Sequence, residues 1–256
     1  MLKLSRTHPP VNPQIRRISA DSFSKIELSL SLLVPCRSPS VTMLDLRFMD
    51  IPEAIDALAN NTDHFLRTEP FKIKGSGTLL VATSAPAIFK MEANSMGGFK
   101  ANFVTQDDRV LGTDEFKAWY VPMQQLKGFT ANWLPTETES TLRLMLTSQL
   151  SGCLFGTGSK GTRTCVAHIQ PKQKPPSKGG FFSKERTSAE LTAKHQQEML
   201  KKAEKKELTP FAALGVTYTE LEYATVVGTM SDDGKWTFYQ QKLNSMGNTF
   251  AGLITT

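Results

Sequence analysis

A succession of short apolar or alternating runs, each closed by glycine, serine or proline, most limits what this chain can fold into. Runs at 78–82, 87–92, 117–121, 141–147 and 164–170 have strand length, and proline ends two of them, at Pro122 and Pro171. Within 141–147, Leu142, Leu144 and Leu146 face one way and Arg143, Met145 and Thr147 the other. Runs at 223–230 and 235–241 flank Ser231-Asp232-Asp233-Gly234, a tight-turn composition, and predict a β-hairpin. Only two segments have helical spacing. Residues 52–59 place Ile55, Leu58 and Ala59 on one face. Residues 187–208 open with Thr187 and Glu190 at capping-box spacing and end among Lys201, Lys202, Lys205 and Lys206, where the helix dipole favours positive charge. The stripe of Leu191, Met199, Leu200 and Ala203 is narrow, which predicts a helix lying on the body rather than inside it.

At 256 residues, with 39% hydrophobic and 21% charged side chains, the chain can bury a sizeable core. No window holds 18 consecutive apolar residues, which excludes a transmembrane helix. Three cysteines, Cys36, Cys153 and Cys165, are odd in number and too few for a disulfide framework, and they favour a reducing place of action. The net charge of +6 is uneven. Residues 1–40 carry six basic and two acidic side chains, residues 160–206 carry twelve and four, and the remainder is net acidic. Such basic segments either meet phosphates and acidic surfaces or are solvated tails and loops.

Residues 1–42 are rich in Ser, Pro and Arg and read as an extension outside the fold. Their apolar run 26–34 is broken by Glu27 and by serines, and is too short and polar for a secretory signal. Met43 offers an alternative start, folding begins near Asp50, and the expected domain is 43–256 with a basic insertion at 172–208.

One constellation carries chemistry: Thr147-Ser148-Gln149-Leu150-Ser151-Gly152-Cys153, followed fifteen residues later by His168. A strand runs into Ser-Gly, and Gly152 permits a tight turn that displays the Cys153 thiol with its backbone N–H free for an oxyanion. A second strand returns an imidazole, the group that turns a thiol into a thiolate. Read without a family, the same residues also fit a buried free cysteine and an ordinary histidine. Alternation along 164–170 puts His168 with Val166 and Gln170, and Cys165 on the opposite face with Ala167 and Ile169. Cys153, Cys165 and His168 therefore do not form a zinc site, and Cys165 is expected in the core. Cys36, His8, His64 and His195 are assigned no catalytic role.

Leu150-Ser151-Gly152-Cys153 followed by His168-Ile169 resembles the glutamine deamidase toxins, which include the cytotoxic necrotizing factors and Burkholderia lethal factor. The likeness to Burkholderia lethal factor is the closer, through Thr147 and its spacing to Cys153. Trp119-Tyr120-Val121-Pro122, Val226-Val227-Gly228 and Phe238-Tyr239-Gln240 look like flanking strands. The match is sharp over 140–171, weaker over 215–241 and loose over 76–123, while 1–42 and 172–208 have no counterpart.

The resemblance implies an α/β fold, a central mixed β-sandwich flanked by helices in a single domain. It implies deamidation of a host-protein glutamine by Cys153 as nucleophile, His168 as base and acid, and Thr147 as the orienting group, with no metal or organic cofactor. It implies a secreted or delivered bacterial effector acting in the host cytosol. The preferred target is the DEAD-box helicase of translation initiation, whose loss stops protein synthesis; Rho-family GTPases come second. A cysteine protease or transglutaminase would use the same pair, and only deamidation leaves an intact substrate heavier by about one dalton. A basic module gripping RNA or acidic lipid through 172–206 is the non-enzymatic rival. It lacks aromatic RNA-binding signatures, so direct nucleic-acid binding is not expected.

Overall fold

The computed structural model describes residues 49–75, 84–95, 97–126, 128–171, 188–244 and 250–255. The extension 1–42, the run at 78–82, the entry to the basic insertion and Thr187 of the capping box lie outside them.

The chain begins with helix α1 (Ile51–Asn60), which Asp50 caps by accepting the Glu53 N–H at 2.8 Å. Helix α2 (Thr62–Thr68) follows at once and was not foreseen; the Thr62 hydroxyl donates to the Leu58 carbonyl and binds the two helices end to end. Their buried side chains Ala54, Leu58, Phe65 and Leu66 come from one face of each.

Eight strands form a mixed sheet. They are β1 (Phe71–Lys74), β2 (Ala85–Ala93), β3 (Phe99–Thr105), β4 (Glu115–Val121), β7 (Leu144–Thr147), β11 (Glu222–Met230), β12 (Trp236–Asn244) and β13 (Phe250–Thr255), in spatial order β1-β3-β2-β4-β7-β11-β12-β13. The pairs β1–β3 and β4–β7 are parallel and the others antiparallel. A smaller sheet holds β10 (Thr209–Ala213), β8 (Leu154–Lys160), β9 (Arg163–Gln170) and β5 (Met123–Gln125), with the short β6 (Asn132–Trp133) also on β9. The expected hairpin is present as β11 and β12, closed by the Ser231 N–H and hydroxyl, which both donate to the Lys235 carbonyl.

Alternation explains the layering. From β4, Phe116, Ala118 and Tyr120 join a core with α1 and α2, while Trp119 and Val121 join the core between the sheets. On β7, Leu144 and Leu146 take the first side and Met145 the second. All four β7 residues are buried, because this central strand is covered on both faces. The inner core interleaves Val121, Met145, Val226 and Phe238 of the large sheet with Phe155, Val166 and Phe211 of the small one. On the outer face of the small sheet, Leu154, Cys165, Ala167 and Ile169 meet Met199 and Ala203 of helix α3 (Ser188–Glu204). The layers run helix, sheet, sheet, helix: an α/β fold with a mixed β-sandwich and three helices among the described residues. The narrow stripe of α3 covers the small sheet while Lys201, Lys205 and Lys206 stay exposed, as expected; Lys202 is turned inward and donates to the Leu126 carbonyl at 3.3 Å. No helix among the described residues is long and apolar enough to cross a membrane.

Cys165 occupies the outer core, buried and on the opposite face from His168. Cys165→Ala should cost about 1 kcal/mol of stability by emptying the sulfur's volume. Chemical denaturation measures the cost, and alkylation kinetics should show no change at Cys153.

Candidate active site at the junction of the two sheets

The site lies where the chain passes from one sheet to the other. Strand β4 ends at Val121, Pro122 cannot donate to a ladder, and β5 starts at Met123 in the small sheet. Val121 is the parallel partner of Thr147, and Met123 is the parallel partner of His168. The turn between sheets therefore sets Thr147 and His168 against each other.

The Thr147 hydroxyl lies 2.7 Å from the Val121 carbonyl oxygen and 2.7 Å from His168 Nδ1. A carbonyl only accepts, so the single hydroxyl proton goes to Val121, and the hydroxyl oxygen accepts from Nδ1–H. That choice fixes the tautomer. Nε2 is left with its lone pair, and it is buried without a hydrogen-bond partner. Thr147 and His168 are both fully buried.

Hairpin geometry brings Cys153 to the same place. In the antiparallel pair β8–β9, Phe155 stands opposite His168 and Leu154 opposite Ile169. Opposed residues share a face, so Cys153, two residues before Phe155, lies diagonally beside His168 on the face turned to the large sheet. The sequence spacing of fifteen becomes a diagonal position because seven-residue β8, a two-residue turn and β9 bring the chain back in register.

The thiol is not displayed as the sequence suggested. Cys153 is only 6% exposed, and its Sγ–H is directed at the Met123 thioether at 3.8 Å. No hydrogen bond joins it to His168 Nε2. Burial pushes the thiol up to about 11, against a smaller opposing pull from the Ser151 backbone hydrogen bond. Burial alone holds His168 down at about 3. Both groups are neutral near pH 7 in this arrangement, a thiol and an imidazole rather than an ion pair.

Gly152 has φ +100°, where a side chain would be strained, and this turns the chain into β8. The turn is pinned by Tyr218, a residue that no sequence pattern marks. Its hydroxyl accepts from the Gly152 N–H at 3.1 Å and donates to the Cys153 carbonyl at 2.7 Å. The Gly152 N–H is thus already engaged. A cleft of about 380 Å³, lined by Ser151, Gly152, Leu214, Glu220 and Glu222 among others, opens beside the turn. Tyr218→Phe would leave two backbone groups at the turn without their partner. It should cost about 1–3 kcal/mol in a denaturation experiment and should accelerate amide hydrogen exchange at Gly152.

Of the remaining candidates, His64 is exposed on α2 and His195 lies on α3. His8 and Cys36 lie outside the described residues. Among the described residues no three His, Cys, Asp or Glu side chains are grouped to hold a metal ion. In comparisons by sequence, no family model matches the chain and no curated protein matches it.

Proposed function

We propose that the chain is a cysteine-dependent protein-glutamine deamidase, with Cys153 as nucleophile, His168 as base and acid, and Thr147 as the residue orienting His168. The observation that carries the reading is the chain Val121 carbonyl, Thr147 hydroxyl, His168 Nδ1, which leaves Nε2 buried and unpartnered on a residue that shares a sheet face with Cys153. A histidine whose outer nitrogen is fixed in this way presents a lone pair, and a lone pair beside a thiol is what general-base activation needs.

In the proposed reaction Nε2 takes the Cys153 proton and the sulfur attacks the carboxamide carbon. The oxygen of the tetrahedral intermediate is held by the Cys153 backbone N–H, since the Gly152 N–H serves Tyr218. The imidazolium returns its proton to the nitrogen, which departs as ammonia and leaves a thioester. Water then gives a proton to Nε2 and its oxygen to the acyl carbon, releasing glutamate and the thiol. No step calls for a metal or organic cofactor.

By the resemblance noted above, the substrate is a host protein, with the translation-initiation helicase preferred over Rho-family GTPases, and the place of action is the host cytosol after delivery. Mass spectrometry of host-cell lysate treated with the wild type and with Cys153→Ala tests the reading. One glutamine heavier by about one dalton in the wild-type sample alone is the expected result. Cleaved chains would point to a protease, cross-linked ones to a transglutaminase, and an unchanged lysate would overturn all three.

A further inference from the structure

Cys153 and His168 occupy the same face, yet neither is reached by solvent to any useful extent, and neither bonds the other. What lies against the thiol is Met123. It is 40% exposed, its sulfur is 3.8 Å from Cys153 Sγ, and it is the strand partner of His168 on β5. One side chain therefore faces solvent on one side and the thiol on the other.

We propose that Met123 is the plug of this site, a side chain that holds Cys153 closed until an entering substrate segment pushes it aside and frees the thiol to meet His168 Nε2. The chemistry of methionine suits the task. Its side chain is unbranched with three rotatable bonds, so it can swing clear while the β5 backbone stays paired to β9. Its thioether is a weak acceptor, so the bond to Cys153 Sγ–H is easily given up. Nε2, fully buried and unpartnered, is a stronger acceptor waiting on the same face. The closed arrangement keeps the thiol neutral, with its titration pushed up to about 11 by burial, and protects it from adventitious alkylation and oxidation. The inference takes Cys153 as the working thiol but needs no particular substrate, so a failed deamidation assay leaves it standing.

The test is iodoacetamide labelling of the full chain, with rates at Cys153 and Cys165 read from the same sample by peptide mass mapping. Met123→Ala should raise the Cys153 rate about tenfold and leave the Cys165 rate unchanged, because only the local closed state is lost. Met123→Leu, similar in bulk, should stay within about threefold of the wild type. A Cys153 rate that moves less than about threefold in the alanine variant, or a Cys165 rate that rises in parallel, overturns the proposal. Should the alanine variant not fold, Met123→Phe carries the test with opposite sign: a bulkier plug should slow Cys153 labelling, and an unchanged or faster rate overturns the proposal.

Discussion

Cys153→Ser should lower deamidation of a protein glutamine by roughly 10³-fold or more and leave the fold intact. The two side chains are close in size, and the thiol is buried among Phe155, Val166 and Tyr218 rather than tied into a load of polar contacts, so the substitution asks little of the packing. The chemistry is another matter. A hydroxyl ionises far less readily than a thiol, and the base on the same face is an imidazole whose proton affinity burial has already reduced. Intact-mass analysis of the substrate reads the activity, and near-ultraviolet circular dichroism reads the fold. A serine variant that deamidates within tenfold of the wild type would remove Cys153 from the mechanism. A variant that is inactive but unfolded would be replaced by Cys153→Ala, for which the same loss is expected.

Much of this site was legible in the order of residues, and for a definite reason. The alternation of 164–170 assigned His168 and Cys165 to opposite faces, and Cys165 indeed packs in the core under α3 while His168 bonds Thr147 of the large sheet. The Pro122 stop, the Gly152 turn and the β11–β12 hairpin were all marked by residues whose backbone preferences are strong. Strands β3, β5, β6, β8, β10 and β13 and helix α2 left weaker marks. Some are only two to five residues long, and their identity depends on what they pair with rather than on local pattern. The exposure of Cys153 was misjudged because a glycine turn reveals local geometry and not what lies across it. The cover comes from Met123, thirty residues away, and the brace from Tyr218, sixty-five residues away. Contacts at such separations are set by the meeting of the two sheets, and no window of sequence contains them.

The same burial that quietens the site should make the protein acid-labile above the pH at which carboxylates begin to titrate. His168 is held at about 3 in the folded state by loss of hydration, against an ordinary value of 6.5. Its folded value is depressed, so the unfolded chain binds the proton more readily. The stability it confers is complete above pH 6.5 and is lost as the pH falls towards 3. Between pH 6.5 and 4.5 the loss should approach about 1.4 kcal/mol for each pH unit, ~2–3 kcal/mol in all, a large share of the stability of an ordinary domain. The ion-paired carboxylates do not mask this window. Glu115, held at about 2 by Arg109, and Asp233, held at about 2 by Lys235, contribute stability that disappears only at lower pH. Urea unfolding across this range, on the wild type and on His168→Gln, isolates the effect. Glutamine can still donate to the Thr147 hydroxyl but does not titrate, so the slope between pH 6.5 and 4.5 should be nearly flat whatever the stability of the variant at pH 7. Equal slopes in the two proteins would mean that solvent reaches the imidazole in the folded state, and the closed site described for Cys153 and Met123 would fall with it.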